Sequence, residues 1–278
     1  MFATHLSVRL QKLAPVPREL ARDVPLALRL AGLQLDSVQP AHRIGSAGLL
    51  TLGALWLGTL GWDSSGAAIA CFLAAATLRF GFLFASFAPR GIAARLVARQ
   101  GVEKGYATFG MALDLLLFLQ RLSFVALACA TARDPSGPFG YALQALGCLV
   151  LPLGLGVTVW AARDVGQDAY HYRDLFTGSR NVRLEEGGAY ALCADPMYAL
   201  GPLAGYGIAM IALSPLALFA TGVNQALLFA FNKLVEQPRL RRANNIFVET
   251  QRRYELARSL LGFDPRPELT RRQHSDES

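Results

Sequence analysis

The sequence is poor in charged residues. Asp, Glu, Lys and Arg make up 17% of its 278 residues, whereas an average soluble domain is about 25% charged. Hydrophobic residues make up 53%, and they are gathered into uninterrupted runs rather than spread at the spacing of an amphipathic helix or strand. This composition excludes a disordered chain and argues against a cytosolic enzyme. It predicts an all-α, polytopic integral-membrane helical bundle.

Cysteine is also scarce. The four cysteines are Cys71, Cys129, Cys148 and Cys193, and they form no C-x-x-C pair and no spacing typical of a metal site. Three of them lie inside apolar runs. The pattern indicates small packing residues rather than a disulfide framework or a zinc centre.

Six apolar runs reach the length of about 17 to 25 residues that a helix needs to cross a bilayer. The third run is long enough to tilt or to extend beyond the membrane. The six predicted spans are 44–62, 67–88, 106–132, 139–162, 196–213 and 215–234.

Lys and Arg are concentrated in alternate connections between these runs. The richer segments carry six, four and four of these residues, at 1–43, 89–105 and 163–195. The intervening connections carry zero, one and zero, at 63–66, 133–138 and Ser214. Because basic residues mark the cytoplasmic side of a membrane protein, we expect both termini to be cytosolic. The net charge of +7 therefore reflects topology rather than nucleic-acid binding.

Two polar segments flank the predicted transmembrane bundle, 44–235. Segment 1–43 is interrupted by prolines and lacks the apolar stretch of a signal peptide, which predicts a cytosolic segment along the membrane surface. Segment 236–262 has apolar residues at seven-residue intervals, which predicts an amphipathic cytosolic helix. The polar composition of 263–278 predicts a flexible tail.

Arg79 lies in the second predicted span, and Asp114, Gln120 and Arg121 lie in the third. Ionisable groups at membrane depth are costly enough to be candidates for function. Arg79 and Asp114 lie at matching depths on adjacent helices if each residue rises about 1.5 Å. This depth predicts an ion pair, which could fix the helix register or contact a substrate. Arg121 follows Asp114 on the same face and could instead extend toward the outer surface.

Glycine, aromatic and acidic residues crowd the last part of the bundle. Gly154 and Gly156 form a G-x-G near the end of the fourth span, a pattern that alone is typical of helix packing. A glycine-rich segment then leads to Asp195 and Pro196, which open the fifth span. A tight hairpin follows at Ser214, and Glu236 comes directly after the sixth span.

In this order, the pattern resembles the membrane phospholipid methyltransferases, which include the phosphatidylethanolamine N-methyltransferases and are related to the isoprenylcysteine carboxyl methyltransferases. The resemblance covers 153–238, and Asp195-Pro196-Met197-Tyr198 is its most specific element. The residues directly before Pro196 and the single Glu236 depart from the common family pattern. The resemblance implies S-adenosylmethionine as methyl donor and an amine-headed phospholipid as acceptor.

The chemistry of these two ligands then suggests roles for individual residues. Glycines allow close approach of a ligand, carboxylates bind amino or hydroxyl groups, and tyrosine faces attract a sulfonium or a methylated ammonium. We expect the donor at Gly154, Gly156, Tyr190, Asp195 and Glu236. The catalytic candidates are Glu236, His171 and Tyr198, with Glu236 favoured over His171, Glu185 and Glu186 as the base that deprotonates the acceptor amine.

Three other functions fit parts of the sequence. An isoprenylcysteine-type carboxyl methyltransferase would need no amine deprotonation, and an NADPH-dependent sterol or enone reductase would share the C-terminal hairpin. A transporter would use Arg79, Asp114 and Arg121 to line a path. The sequence leaves open a bacterial inner membrane or the endoplasmic reticulum, and it does not predict an oligomeric state.

Overall fold

The computed structural model describes residues 30, 33, 48, 65–165, 172–177, 189 and 196–239. These residues form helices and turns without a strand, in agreement with the predicted all-α bundle. In chain order the elements are α1 (Ser65–Ser86), α2 (Ile92–Gln100), α3 (Val102–Ala130), α4 (Gly137–Val165), α5 (Arg173–Thr177), α6 (Pro196–Ala199), α7 (Leu203–Ile211), α8 (Pro215–Phe231) and a π-helix (Asn232–Glu236).

Four of the described helices are long and apolar enough to cross a membrane. They confirm the second, third, fourth and sixth predicted spans, with small shifts at their ends. The helical stretches are Ser65–Ser86, Val102–Ala130, Gly137–Asp164 and Pro215–Arg239. The first predicted span, 44–62, lies outside the described residues except for Gly48.

The fifth predicted span, 196–213, is not a single helix. The chain forms two short helices, α6 and α7, separated by a turn at 200–202. Pro202 causes the break, because proline has no backbone N–H and disfavours helical geometry in the residue before it, here Gly201. Hydropathy does not detect this turn, since the residues on both sides of it are apolar.

Helices α4 and α7 pack backbone against backbone. A Cβ added at Gly154 would overlap the backbone nitrogen of Ala204, and one at Gly207 would lie 2.5 Å from the backbone nitrogen of Leu151. Small residues allow this close approach, which is how helices associate where lipid removes the hydrophobic driving force. The contact places the short helix α7 firmly beside α4.

The hairpin between α7 and α8 is built as the sequence predicts. Ser214 caps α8, with its hydroxyl accepting from the backbone nitrogen of Ala217 at 3.0 Å. The same hydroxyl lies 2.6 Å from that of Thr131 at the end of α3. Pro215 occupies the first turn of α8, where its missing N–H has no cost.

An aromatic cluster closes the end of the bundle at which α1 and α8 end and α3 begins, here called the Glu236 end. Phe87, Phe109 and Phe231 are buried. The ring centroid of Phe87 lies 5.6 Å from that of Phe109 and 5.9 Å from that of Phe231. Tyr172 joins them, 5.3 Å from the ring of Phe231. The cluster therefore anchors the connection after α4 to the helices of the bundle.

Arg79 and Asp114 lie inside the bundle, as the sequence predicts from their depth. Asp114 is 6% exposed, and Arg79 donates a hydrogen bond to Gln120. Their ion pair stays a prediction. Arg121 donates a hydrogen bond to the carbonyl oxygen of Leu30, and its extension toward the outer surface stays a prediction.

The flanking segments are described only in part. Leu30 is buried and packs on Val159 and Ala162, so this part of segment 1–43 lies against the bundle. At the other end, helical structure continues from the π-helix to Arg239, which donates to the carbonyl oxygen of Phe87. Apart from Leu30 and Leu33, segment 1–43 lies outside the described residues, as do most of 236–262 and all of 263–278.

Candidate active site

A cavity of about 430 Å³ lies inside the bundle. The cavity is lined by residues of all four long helices, of the α6–α7 segment and of the π-helix, and by Tyr172. Most of the lining side chains are apolar. The polar ones include Arg121, Thr158 and Thr221 and two groups that are joined by hydrogen bonds. One group surrounds Glu236, and the other joins Arg79 to Asn224.

The first polar group is centred on Tyr198 and Glu236. The hydroxyl of Tyr198, on α6, donates a hydrogen bond to Oε2 of Glu236. Tyr198 is only 6% exposed, whereas Glu236 is half-buried. Tyr172 also lies in this group and interacts with the Tyr198 side chain. The arrangement combines a carboxylate, a phenol and an aromatic ring at one end of an apolar cavity.

The π-helix determines where the Glu236 side chain lies. In this segment the backbone N–H of Gln237 donates to the carbonyl oxygen of Asn232, five residues earlier. The wider turn changes the face on which the following residues project, and such insertions occur frequently at functional sites. A regular continuation of α8 would place Glu236 on a different face.

Gln225 holds α6 in place from the neighbouring helix α8. Its Nε2 donates to the carbonyl oxygens of Ala199, at 3.1 Å, and Tyr198, at 3.4 Å. Its Oε1 accepts from the hydroxyl of Tyr206 at 2.9 Å. These bonds satisfy carbonyl groups that a four-residue helix leaves without intrahelical partners. Gln225 therefore positions the segment that carries Tyr198.

The second polar group is a chain of three side chains across the cavity. Arg79 donates to Oε1 of Gln120, and Nε2 of Gln120 donates to Oδ1 of Asn224 at 2.8 Å. The three residues come from α1, α3 and α8, and all of them line the cavity. The sequence prediction included Arg79 and Gln120 as intramembrane polar residues but missed Asn224 and Gln225. The signal was available, because both amides interrupt an apolar span.

The structure brings two of the predicted site residues together, namely Tyr198 and Glu236. Gly154 and Gly156 are buried on α4, and the side of Gly154 that a Cβ would occupy faces α7 rather than open space. Their roles toward the donor stay predictions. The other candidates lie outside the described residues: His171, Glu185, Glu186, Tyr190 and Asp195.

One contact joins Ala189 to α4. The backbone nitrogen of Ala189 donates to Oδ2 of Asp164 at 2.7 Å, and Ala189 is fully buried. Asp164 lies near the end of α4, in the same part of the chain as Gly156. This hydrogen bond attaches Ala189 to the end of α4.

The part of the chain that carries Tyr198 and Glu236 is similar to a known family. Residues 142–244 match the phospholipid methyltransferase family. The matched segment begins within α4 and includes the π-helix, so it contains the predicted residues Gly154, Gly156, Tyr198 and Glu236. This match confirms the resemblance inferred from the sequence. Arg79 and Gln120 lie outside the phospholipid methyltransferase segment.

Curated relatives carry the name phosphatidylethanolamine N-methyltransferase. The protein from Sordaria macrospora is 32% identical over 143 residues, which are 50% of this chain and 15% of the relative. The protein from Schizosaccharomyces japonicus is 34% identical over 131 residues, which are 46% of this chain and 14% of the relative. The chain therefore matches only a small part of these much longer proteins. No solved structure matches it.

Proposed function

We propose that the chain is an integral-membrane methyltransferase that uses S-adenosylmethionine to N-methylate phosphatidylethanolamine, or its methylated derivatives, toward phosphatidylcholine. The family match and the names of the relatives support this reaction class. The observation that carries the proposal is the Tyr198–Glu236 pair at one end of an apolar cavity inside a membrane bundle.

The cavity fits the acceptor of this reaction. A phospholipid has long apolar chains and a cationic amine, and the cavity combines a mostly apolar lining with a carboxylate at one end. The Tyr198 hydroxyl fixes that carboxylate, so that Glu236 presents a defined oxygen to the cavity. A held carboxylate costs less reorganisation during the reaction than a solvated one.

The residues present also suit the methyl donor. Bound S-adenosylmethionine supplies an electrophilic methyl carbon on a sulfonium, and the electrons of the broken S–C bond remain on sulfur. The aromatic faces of Tyr172 and Tyr198 beside the Glu236 carboxylate favour a cation of this kind. Among the residues predicted from sequence, Gly154, Gly156, Tyr190, Asp195 and Glu236 would hold the donor.

Glu236 has a second role in the proposal, because an ammonium group cannot act as a nucleophile. The carboxylate takes the proton from the acceptor ammonium, and the freed nitrogen lone pair forms the new N–C bond. Tyr198 orients the carboxylate through its hydroxyl. Positioning and electrostatics should supply most of the acceleration, since methyl transfer needs little other chemistry from the protein.

The test is methyl transfer by the purified full chain in vesicles that contain phosphatidylethanolamine. With methyl-labelled S-adenosylmethionine, we expect label in the methylated amine lipids and none in vesicles of phosphatidylglycerol alone. A prenylated cysteine peptide, offered in parallel, tests the carboxyl methyltransferase alternative. Label in that peptide only, or no labelled lipid from folded protein that binds the donor, would contradict the proposal.

A further inference from the structure

The polar chain Arg79–Gln120–Asn224 lies in the part of the cavity away from Glu236, and the proposed proton transfer does not use it. Asn224 precedes Glu236 by about three turns of the same helix, roughly 16 to 18 Å at 1.5 Å per residue. Both side chains line one cavity. A ligand whose amine lies at Glu236 therefore meets the polar chain with a part further along the molecule.

The direction of the hydrogen bonds shows what kind of group the chain can receive. Gln120 accepts from Arg79 through its oxygen, and Asn224 accepts from Gln120 through its oxygen. Both amide oxygens thus face protein donors. The groups at the two ends of the chain are a guanidinium and an amide NH₂, which are donors only. Any ligand group that binds at these two ends is therefore a hydrogen-bond acceptor.

A diacyl phospholipid has two kinds of acceptor, and their distances from the amine differ. The phosphorus is four bonds from the nitrogen, a reach of about 5 Å when extended, whereas an ester carbonyl carbon is nine bonds away, about 10 Å. The separation of Asn224 and Glu236 along the helix is shortened by the lengths of their side chains. The reach from the amine to the ester carbonyl matches this separation better than the reach to the phosphorus does. With the amine at Glu236, the phosphate of such a lipid therefore lies nearer to Glu236 than to Asn224.

We propose that Arg79 and Asn224 donate hydrogen bonds to the ester carbonyl oxygens of a diacyl phospholipid acceptor, while Gln120 holds both in position. This inference rests on the proposed function, because the amine at Glu236 defines the distance. It makes the polar chain a specificity site for the acyl ester linkage. The two helices α1 and α3, outside the phospholipid methyltransferase segment, thereby contribute to acceptor recognition.

The experiment compares two acceptors that differ only at the ester. One is phosphatidylethanolamine with two oleoyl chains, and the other is its dialkyl ether analogue, which keeps the amine and the phosphate but lacks both carbonyl oxygens. Thermal stabilisation of the detergent-solubilised full chain by each lipid reports affinity without the methyl donor. We expect the intact protein to bind the diacyl lipid roughly a hundredfold more tightly, the effect of about two hydrogen bonds of roughly tenfold each.

Two variants remove the proposed donors, one at each end of the polar chain, and Asn224→Asp does so without a change of shape. Asn224→Asp keeps the oxygen that accepts from Gln120 and removes the amide donor, and Arg79→Gln removes the guanidinium. Each should weaken binding of the diacyl lipid about tenfold and leave the ether lipid unchanged. The matched control is Arg99→Gln, which removes an exposed charge from α2 and should keep the preference for the ester.

Equal affinity of the intact protein for both lipids would overturn the inference. An equal loss for both lipids in Asn224→Asp and Arg79→Gln would also overturn it, since a phosphate contact or a purely structural role predicts that result. The ester preference is measured without methyl transfer. An ester preference in a protein that methylates no lipid would refute the proposed function and keep the subsite. An active enzyme without the ester preference would refute the subsite alone.

Discussion

The hydroxyl of Tyr198 donates a hydrogen bond to Glu236 across 38 residues of sequence. The contact joins the short helix α6 to the π-helix after α8, and both belong to the segment that matches the phospholipid methyltransferase family. Its formation depends on the turn at Pro202, which ends α6 early, and on the π-helix, which redirects Glu236. Two local departures from regular helix thus create the candidate site.

Glu236→Gln should lower the efficiency of methyl transfer by about ten- to a hundredfold, because a charge-assisted contact contributes roughly 1.5 to 3 kcal/mol. The substitution keeps the size of the side chain and removes its charge. Steady-state kinetics against donor and lipid separate two roles. Loss of donor affinity indicates donor binding, whereas loss of turnover that recovers as pH rises toward the amine pKa, about 10, indicates proton removal.

The control for this change is Asp134→Asn, which removes an exposed carboxylate in the connection between α3 and α4. It should leave both kinetic constants unchanged. Near-normal kinetics of Glu236→Gln, in folded protein that binds the donor, would exclude Glu236 from the site. His171, Glu185 and Glu186 would then be the better candidates for the base.

Tyr198→Phe should lower turnover by roughly tenfold, since one hydrogen bond to a charged group is lost and the carboxylate of Glu236 is no longer held. The aromatic ring remains, so donor affinity that depends on the ring should change little. Tyr141→Phe is the matched control, because Tyr141 is 61% exposed on α4. If Tyr198→Phe instead weakens donor binding and leaves turnover intact, the positioning role is wrong.

The sequence predicts the parts of this fold that depend on length and hydropathy. Four long apolar helices lie where the apolar runs indicate, and the cap at Ser214 follows from its neighbouring proline. The π-helix has no such signal, since Asn232 to Glu236 contain neither proline nor glycine. The approach of Tyr198 to Glu236 could be expected only from the family resemblance, because spacing alone does not bring residues of two helices together.

The amide side chains show a different limit of the sequence prediction. Asn224 and Gln225 are adjacent in α8, yet one joins the polar chain to Arg79 and the other supports α6. Adjacent residues project in different directions from a helix, so a search for charges along one face misses both. Their functions become visible only when the carbonyl groups of α6 and the amide of Gln120 are in place.

Gln225→Leu should lower the free energy of unfolding by about 1 to 3 kcal/mol, because the carbonyl oxygens of Tyr198 and Ala199 and the hydroxyl of Tyr206 lose their partner. A double-mutant cycle with Tyr206→Phe isolates the shared bond. We expect the double variant to lose less stability than the sum of the single changes. Strictly additive losses, measured by unfolding in mixed micelles, would show that the two side chains do not interact.

Two glycines in long helices should respond in opposite ways to the same substitution. Gly154→Ala places a Cβ on the backbone of α7, and neither backbone can move away easily, so we expect a loss of about 1 to 3 kcal/mol in the free energy of unfolding. Gly81→Ala, in α1, meets no atom within 4 Å and should stabilise the helix by about 0.5 to 1 kcal/mol. Unfolding of the two variants under identical conditions tests the difference.

Donor affinity of Gly154→Ala, measured at a temperature where the variant is folded, then separates the two roles of this glycine. Lower stability with unchanged affinity for S-adenosylmethionine would assign Gly154 to helix packing and remove it from the donor site. A drop in affinity that Gly81→Ala does not show would support the predicted donor contact. A shift of α7 caused by the added Cβ would reach Tyr198 only through the turn at 200–202. If Gly154→Ala is as stable as Gly81→Ala, the close contact between α4 and α7 is wrong.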